Sequence, residues 1–219
     1  MPYCLRPMRR EDIAQVNEID REAFPTQWPP PDYRRELQNP LARLIVVSEE
    51  GETVSEPEAK APNTSGLVSK IRQLFSRERF FGEKPSPSSQ YILGFASIWV
   101  MADEAHITNI AVRKQYQRQG IGELLLISII DLATELKADF MTLEVRVSNT
   151  AAQSLYQKYG FTKTGIRTGY YTDNREDALL MSTERMTSAP FQARLQRLKQ
   201  AHASKCEIAG KSLREIPAR

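Results

Sequence analysis

The sequence contains few of the residues on which several classes of protein depend. Of its 219 residues, two are cysteines and two are histidines. Cys4 and Cys206 stand near opposite ends of the chain, which excludes a disulfide framework and is typical of a reducing compartment. His106 and His202 are too far apart for a histidine-based metal cluster, and no G-x-S-x-G motif accompanies them. We therefore expect neither a metal centre nor a serine-hydrolase triad.

Long hydrophobic runs are also missing. The longest, such as 124–130, fall far short of the ~20 residues that a transmembrane helix needs. Residues 1–6 contain no apolar signal segment, so export is not expected. Hydrophobic residues still make up 41% of the chain and charged residues 26%, a composition typical of globular proteins. The sequence thus predicts a cytoplasmic protein without a membrane span.

Positive charge is concentrated at the C-terminal end. Residues 185–219 contain eight lysines and arginines against two glutamates, a net charge of +6, which leaves residues 1–184 at −3. Such a tail could contact RNA, an acidic surface or anionic lipid, but a solvated appendage is the favoured interpretation. Apolar spacing and a proline in the first turn predict a helix over 190–202.

The rest of the chain is divided by an insertion. Residues 1–50 carry a helical stripe and a strand pattern. Residues 51–90 are rich in proline, serine and glutamate and too long for an ordinary loop. An amphipathic segment within them, 67–75, could lie on a membrane surface, on the body or on another subunit. The predicted organisation is a domain over 1–184 that the insertion 51–90 interrupts, and a basic helical tail over 185–219.

Residues 91–184 carry the clearest alternation of strands and helices. Strands are predicted at 91–101, 106–112, 140–145, 161–166 and 177–182. A long helix has its apolar face between Ile121 and Leu136, and a shorter one over 150–159 ends at a glycine, as helices often do. This alternation is typical of an α/β fold.

A glycine-rich turn precedes the long helix. It consists of Gln117-Arg118-Gln119-Gly120-Ile121-Gly122. The glycines let the backbone approach a ligand closely, and the first amides of a helix lack intrahelical acceptors and favour anions. The turn fits neither a Walker A loop nor G-x-G-x-x-G. A pyrophosphate site and tight packing of the helix on the preceding strand are both open interpretations of the turn alone.

The turn and its surroundings resemble a known family. The residues that carry the resemblance are Asn109-Ile110-Ala111-Val112 before the turn and, after it, Leu143-Glu144-Val145-Arg146, Ser148-Asn149, Leu155-Tyr156 and Tyr159-Gly160-Phe161. Together they resemble the GCN5-related N-acetyltransferases (GNAT), and among these the bacterial branch that acetylates the N-terminal alanine of ribosomal proteins. The resemblance is strong over 91–184 and weak over 1–50, and it does not extend to the insertion or the tail.

This resemblance implies a fold and a co-substrate. The fold would be a mixed, strongly twisted sheet flanked by helices, with a central pair of strands splayed apart to admit the pantetheine of acetyl-CoA. Backbone groups of Ile110, Ala111 and Val112 would pair with pantetheine, and Asn149 would hydrogen-bond the cofactor. The amides that would hold the pyrophosphate are those of Arg118, Gln119, Gly120, Ile121, Gly122 and Glu123.

The resemblance assigns the two proton transfers of the reaction to Glu144 and Tyr156. An attacking amine must lose a proton, and a departing thiolate gains from receiving one. Glu144 is the expected base, and Tyr156, whose phenol has an ordinary pKa near ~10, is the expected acid. The alternatives are an ion pair of Glu144 with Arg146 or another cation, and core packing of Tyr156. His106 is interpreted as a strand residue without a catalytic role.

The expected activity is acetyl-CoA-dependent acetylation of a protein N-terminus. The best-fitting substrate is the N-terminal alanine of a small-subunit ribosomal protein. Tyr170 and Tyr171 would clamp the peptide substrate, or simply pack their loop. The partner is then a protein or peptide N-terminus, and nucleic acid is not required. Lysine or small-amine acetylation is the alternative within the enzyme class, and a non-catalytic acetyl-CoA-binding module is the alternative outside it.

Overall fold

A seven-stranded mixed sheet forms the centre of the molecule. The computed structural model describes residues 3–26, 31–49 and 90–214, with side chains as far as residue 204. The predicted insertion and its amphipathic segment lie almost entirely outside these residues. The strands are β1 (Tyr3–Pro7), β2 (Ala42–Glu49), β3 (Ile92–Met101), β4 (Glu104–Val112), β5 (Phe140–Arg146), β6 (Phe161–Tyr171) and β7 (Glu176–Thr183). Neighbouring strands follow the order β1-β2-β3-β4-β5-β7-β6.

Helices cover both faces of the sheet. They are α1 (Ile13–Ala23), α2 (Tyr33–Glu36), α3 (Ile121–Glu135), α4 (Thr150–Lys158) and α5 (Ala189–Arg214). Val16, Ile19 and Tyr33 of α1 and α2 pack with Phe95 in one core. The apolar residues of α3, α4 and α5 pack in a second core on the opposite face. The predicted α/β fold with a helix-flanked mixed sheet is therefore confirmed.

Two elements differ from the sequence expectation. Strand β1 was not predicted, although it pairs with β2 along its whole length. Strand β6 runs five residues beyond its expected end at Ile166, because pairing with β7 resumes at Tyr171, opposite Glu176, after a register shift. Tyr170 and Tyr171 therefore lie at the end of a strand and not in a loop.

Strands β4 and β5 part in the middle of the sheet. Their parallel pairing runs from Glu104–Phe140 to Ile107–Leu143 and then stops. Beyond that point β4 stays paired with β3 as far as Val112, and β5 stays paired with β7 as far as Arg146. The two facing edges are consequently separate over the second half of each strand, which confirms the expected splayed pair.

A β-bulge at Thr108 marks the place where the strands part. Ser97 of β3 lies opposite Asn109, while the next residue of β3 lies opposite Ile107, so β4 has one extra residue here. The Thr108 and Ser97 hydroxyls are hydrogen-bonded at 2.5 Å. The extra residue also reverses the alternation of side chains: Ile107 packs in the α3 core, but Ala111 packs in the α1 core.

The C-terminal segment is part of the core, at least to residue 204. Phe191 and Leu195 of α5 are 1% and 3% exposed and pack against the α3 face of the sheet. Lys199, 8% exposed, forms an ion pair with Asp131 of α3. The predicted helix is thus present, but its interpretation as a solvated appendage is wrong, because its apolar stripe is buried and one of its lysines is paired.

Candidate active site

A cavity of about 680 Å³ occupies the gap between the parted strands. Its walls are the second halves of β4 and β5, the first turns of α4, the end of β6 and the segment that joins α1 to α2. The structure thereby brings together residues that are far apart in sequence. The predicted site residues among its lining are Ile110, Glu144, Asn149, Tyr156, Tyr170 and Tyr171.

Glu144 is the first residue of β5 beyond its pairing with β4, and its carboxylate contacts a histidine and an arginine side chain. Oε2 lies 3.0 Å from Nε2 of His106, and Oε1 lies 2.9 Å from Nη1 of Arg167. The side chain is only 10% exposed. The sequence suggested an ion pair with Arg146 or another cation, and the cation is Arg167.

These contacts lower the pKa of Glu144 below the ordinary glutamate value. The hydrogen bond with His106 is the largest cause; burial opposes it, and the charges of His106 and Arg167 add to the lowering. The carboxylate is consequently ionised at neutral pH. A buried anion at the edge of a cavity attracts a cationic group such as an ammonium ion.

His106 contacts the Glu144 carboxylate directly, a contact that the sequence did not indicate. Its Nδ1 lies 2.8 Å from the Thr142 hydroxyl, which itself donates to Glu104 at 2.6 Å. The imidazole therefore connects the Glu144 carboxylate with the Thr142 and Glu104 side chains. The signal that could have revealed this is the register of a parallel strand pair, which places His106 beside Thr142.

Tyr156 lies on α4, across the cavity from the free part of β4. Its ring packs against Phe161 with 5.7 Å between centroids. Burial raises the pKa of the Tyr156 phenol, with a smaller contribution from Tyr171, so the hydroxyl keeps its proton at physiological pH. Among the described residues, no hydrogen bond to this hydroxyl is formed. The ring therefore packs, and the hydroxyl is protonated.

The tyrosines at the end of β6 are fixed by arginines. Tyr170 and Tyr171 meet edge to face at 5.2 Å, and the Arg146 guanidinium lies 3.8 Å from the centre of the Tyr171 ring. Arg146 also pairs with Asp173 at 3.0 Å and Glu176 at 3.1 Å. Burial raises the pKa of Tyr171 to about 12. The aromatic wall of the cavity is therefore rigidly supported.

Asn149 begins α4. Its Oδ1 accepts a hydrogen bond from the Ala152 amide at 3.1 Å and so caps the helix. Because this oxygen is occupied, the side-chain NH₂ group is what Asn149 offers to a ligand in the cavity.

The backbone of the glycine-rich turn forms a cradle at the start of α3. Gly120 is the N-cap and has φ of 85°, a left-handed conformation that favours glycine, and Arg118 also has a positive φ of 64°. Within the described residues, no acceptor is found for the amides of residues 118–123. A Cβ added at Gly122 would meet its nearest neighbour, Val112 Cγ2, only at 3.8 Å. Free amides beside open space fit a pyrophosphate group.

The basic residues around the turn are not equivalent. Arg113 is buried, donates to the Ile92 carbonyl at 2.8 Å and pairs with Glu18 at 2.9 Å and Glu22 at 3.4 Å. Its charge is neutralised by α1, so Arg113 joins the start of the turn to α1 and contributes little to anion binding.

The described residues contain neither a candidate metal site nor a candidate membrane-spanning helix. No group of three or more histidine, cysteine, aspartate or glutamate side chains in this part of the chain is placed to hold a metal ion. No helix among these residues is long and apolar enough to cross a membrane.

Comparison with known proteins gives consistent matches. The model of the acetyltransferase (GNAT) family matches residues 57–161. A Bacillus subtilis protein with the provisional name ribosomal protein bS18-alanine N-acetyltransferase is 35% identical over 179 residues, which cover 81% of this chain and 93% of that protein. An N-alpha-acetyltransferase of Sulfurisphaera tokodaii is 31% identical over 181 residues, which cover 82% and 92%.

A solved structure agrees with these matches. The ribosomal-protein-S18-alanine N-acetyltransferase of Escherichia coli superposes with a TM-score of 0.60 at 26% identity, over 86% of this chain and 97% of that one.

The chain belongs to the GNAT family of acetyltransferases.

It is accordingly an acyltransferase, and its similarity to the ribosomal-protein alanine N-acetyltransferase branch is confirmed. The GNAT assignment gives the cavity a chemical context. The unpaired edge of β4 and the free amides of the cradle lie at the two places where an extended ligand with a pyrophosphate would need backbone partners.

Gly122→Val tests the cradle. The substitution fills the open space beside the free amides but clashes with no protein atom at its Cβ, so we expect an unchanged melting temperature and a KM for acetyl-CoA raised at least about tenfold. Gly165→Val, the same change in β6 outside the cavity lining, is the control and should leave KM unaltered. A folded Gly122→Val enzyme with normal KM would remove the pyrophosphate assignment.

Proposed function

We propose that this GNAT enzyme is an acetyl-CoA-dependent protein N-terminal acetyltransferase whose acceptor is the N-terminal alanine of a small-subunit ribosomal protein. The observation that carries the chemistry is the shared cavity of Glu144 and Tyr156, a carboxylate and a protonated phenol in the gap between β4 and β5. The acceptor is supported by the names of the Bacillus subtilis and Escherichia coli relatives.

The donor would lie along β4. Backbone groups of Ile110, Ala111 and Val112 face a gap that no strand of the described residues fills, and they would hold the pantetheine as an added strand. The amides of residues 118–123 would hold the pyrophosphate. The Asn149 side-chain NH₂ group would donate a hydrogen bond to the cofactor. When bound, acetyl-CoA supplies the acetyl group as a reactive thioester.

The acceptor would lie against the aromatic part of the cavity lining. That lining includes Phe24, Tyr33, Glu36 and Trp99 and the tyrosine pair at the end of β6. Trp99 Nε1 donates to Glu36 Oε2 at 2.7 Å, which fixes the carboxylate in the wall. Aromatic rings with a few fixed polar groups suit an extended peptide whose first residue is small.

The proton transfers follow from the charge state of the two residues. The ionised Glu144 carboxylate attracts the α-ammonium group and takes its proton, directly or through a water molecule. An α-amine has an ordinary pKa near ~8, so a modest base at neutral pH is enough, whereas a lysine amine near ~10.4 holds its proton much more tightly. As the amine nitrogen bonds to the acetyl carbon and the C–S bond breaks, Tyr156 donates its hydroxyl proton to the departing sulfur, and the second proton lost by the nitrogen returns to the Tyr156 oxygen.

A peptide panel tests the acceptor. Purified enzyme is incubated with acetyl-CoA and peptides that begin with Ala, Ser or Met, together with a peptide blocked at its N-terminus that contains an internal lysine, and spermidine. We expect the alanine peptide to give the highest kcat/KM and the blocked peptide to be inert. Similar rates for all free N-termini would favour the broader specificity suggested by the name of the archaeal relative. Preference for spermidine or internal lysine would contradict an N-terminal acetyltransferase.

Glu144→Gln tests the base. The change keeps the shape of the side chain and removes its basicity, so kcat at pH 7 should fall by roughly 10²-fold. The deficit should shrink above the pKa of the amine, because the free amine then needs no base. Glu184→Gln, which alters an exposed ion pair with Arg194 outside the cavity, is the control. A deficit that is constant with pH would indicate that Glu144 only positions the acceptor.

Tyr156→Phe tests the acid. Because no described residue bonds to its hydroxyl, loss of that group should leave the melting temperature unchanged and lower kcat by roughly 10²-fold. A thioester with a more acidic thiol should partly rescue the variant. Tyr159→Phe provides the contrast, since the Tyr159 hydroxyl donates to Glu123 at 2.7 Å, so that variant should lose stability and keep its turnover. Normal turnover of Tyr156→Phe, or an equal deficit with every thioester, would contradict the assignment.

A further inference from the structure

The C-terminal helix α5 reaches the start of α3, where the cradle lies. His202 of α5 is 3% exposed, and its Nε2 lies 3.1 Å from the carbonyl oxygen of Gly120. A carbonyl oxygen only accepts hydrogen bonds, so Nε2 carries the proton and donates it. A residue 82 positions further along the chain therefore contacts the N-cap of the helix that begins the cradle.

The Gly120 carbonyl receives two donors. Besides His202, the amide of Leu124 donates to it at 2.9 Å as the first hydrogen bond of α3. The two donors approach from different parts of the fold, one from the helix itself and one from α5. The orientation of this carbonyl is consequently fixed, although Gly120 has the conformational freedom of a residue without a Cβ.

The fixed carbonyl determines the direction of one cradle amide. The peptide bond between Gly120 and Ile121 is planar, so its N–H points opposite to its C=O. That N–H belongs to Ile121, the first residue of α3, and has no acceptor among the described residues. By fixing the direction of the Gly120 C=O bond, His202 points the Ile121 N–H in the opposite direction.

Helix α5 is anchored firmly enough to act in this way. Phe191 and Leu195 are buried in the α3 core, and the buried Lys199 is paired with Asp131 on α3, one turn before His202. The imidazole is thus presented by a helix that is packed along the same helix whose N-terminus it contacts. Its position is set by the packing of α5 against α3.

We propose that His202 is a positioning residue of the acetyl-CoA site, which makes α5 part of the cofactor-binding structure. The inference rests on the proposed function in so far as acetyl-CoA occupies the cradle. His202 acts through the Gly120–Ile121 peptide and touches no reacting atom, so it should affect affinity for the pyrophosphate moiety and leave the chemical step unchanged.

The test compares three variants of the full chain by calorimetric titration with CoA and with pantetheine, which lacks the pyrophosphate. His202→Leu removes the donor, and the Kd for CoA should rise about fivefold to tenfold, while the affinity for pantetheine stays the same. His202→Gln keeps an N–H donor and should restore CoA affinity to within about threefold of the wild type. His202→Met replaces His202→Leu if the leucine variant does not fold, because methionine adapts to irregular space.

A control separates positioning from stability. Ile19→Val weakens the α1 core on the opposite face of the sheet and should lower the melting temperature without changing the Kd for CoA. In steady-state assays, His202→Leu should raise the KM for acetyl-CoA and leave kcat within about twofold of the wild type.

The outcomes distinguish the two proposals. Wild-type protein that does not bind CoA would overturn the proposed function and this inference with it. Wild-type binding together with unchanged affinity in His202→Leu would overturn the inference alone. Equal weakening of CoA and pantetheine binding, or failure of His202→Gln to restore affinity, would also overturn it, since a general loss of structure would then explain the effect.

Discussion

The separation of β4 from β5 is the constraint on which the rest of the site depends. Each strand stays paired on its outer side beyond the junction, β4 with β3 and β5 with β7, so the sheet holds together while its centre opens. The bulge at Thr108 begins the opening by adding one residue to β4 immediately after its last pair with β5. Backbone groups that a continuous sheet would use internally are thereby left for a ligand, and Glu144 becomes the first side chain beyond the junction.

Electrostatic pairing then determines what the opened sheet can do. Glu144 is held between His106 and Arg167, and its lowered pKa keeps it anionic. Such a carboxylate is a good partner for an ammonium ion but a weaker base than an unpaired one, so it is matched to an amine that releases its proton easily. Tyr156, in contrast, is shifted by burial toward keeping its proton. The surroundings thus favour the deprotonated form of one group and the protonated form of the other in the same cavity.

Local patterns in the sequence predicted the family, most of the elements and the residues of the candidate site. The helix over Thr150–Lys158 and the turn around Gly120 carry signals within a few residues, and Glu144 and Tyr156 were proposed from the segments around them. Contacts between distant segments could not be found in this way. The pairing of Glu144 with Arg167 depends on how β6 and β5 flank β7, and the burial of α5 depends on where α3 leaves an apolar surface. The tail was misjudged because net charge describes solvation and gives no information about the buried stripe beneath it.

The bulge at Thr108 also restricts how this chain can evolve. Its extra residue places Ala111 in the α1 core, while Ile110 and Val112 pack against the α3 core. Loss of one residue from this strand would exchange these sets, moving each side chain to the face built for the other. Substitutions of similar size are compatible with such a strand, but changes in its length are not. Insertions and deletions should therefore be absent, in relatives of this protein, from the strand that borders the cavity.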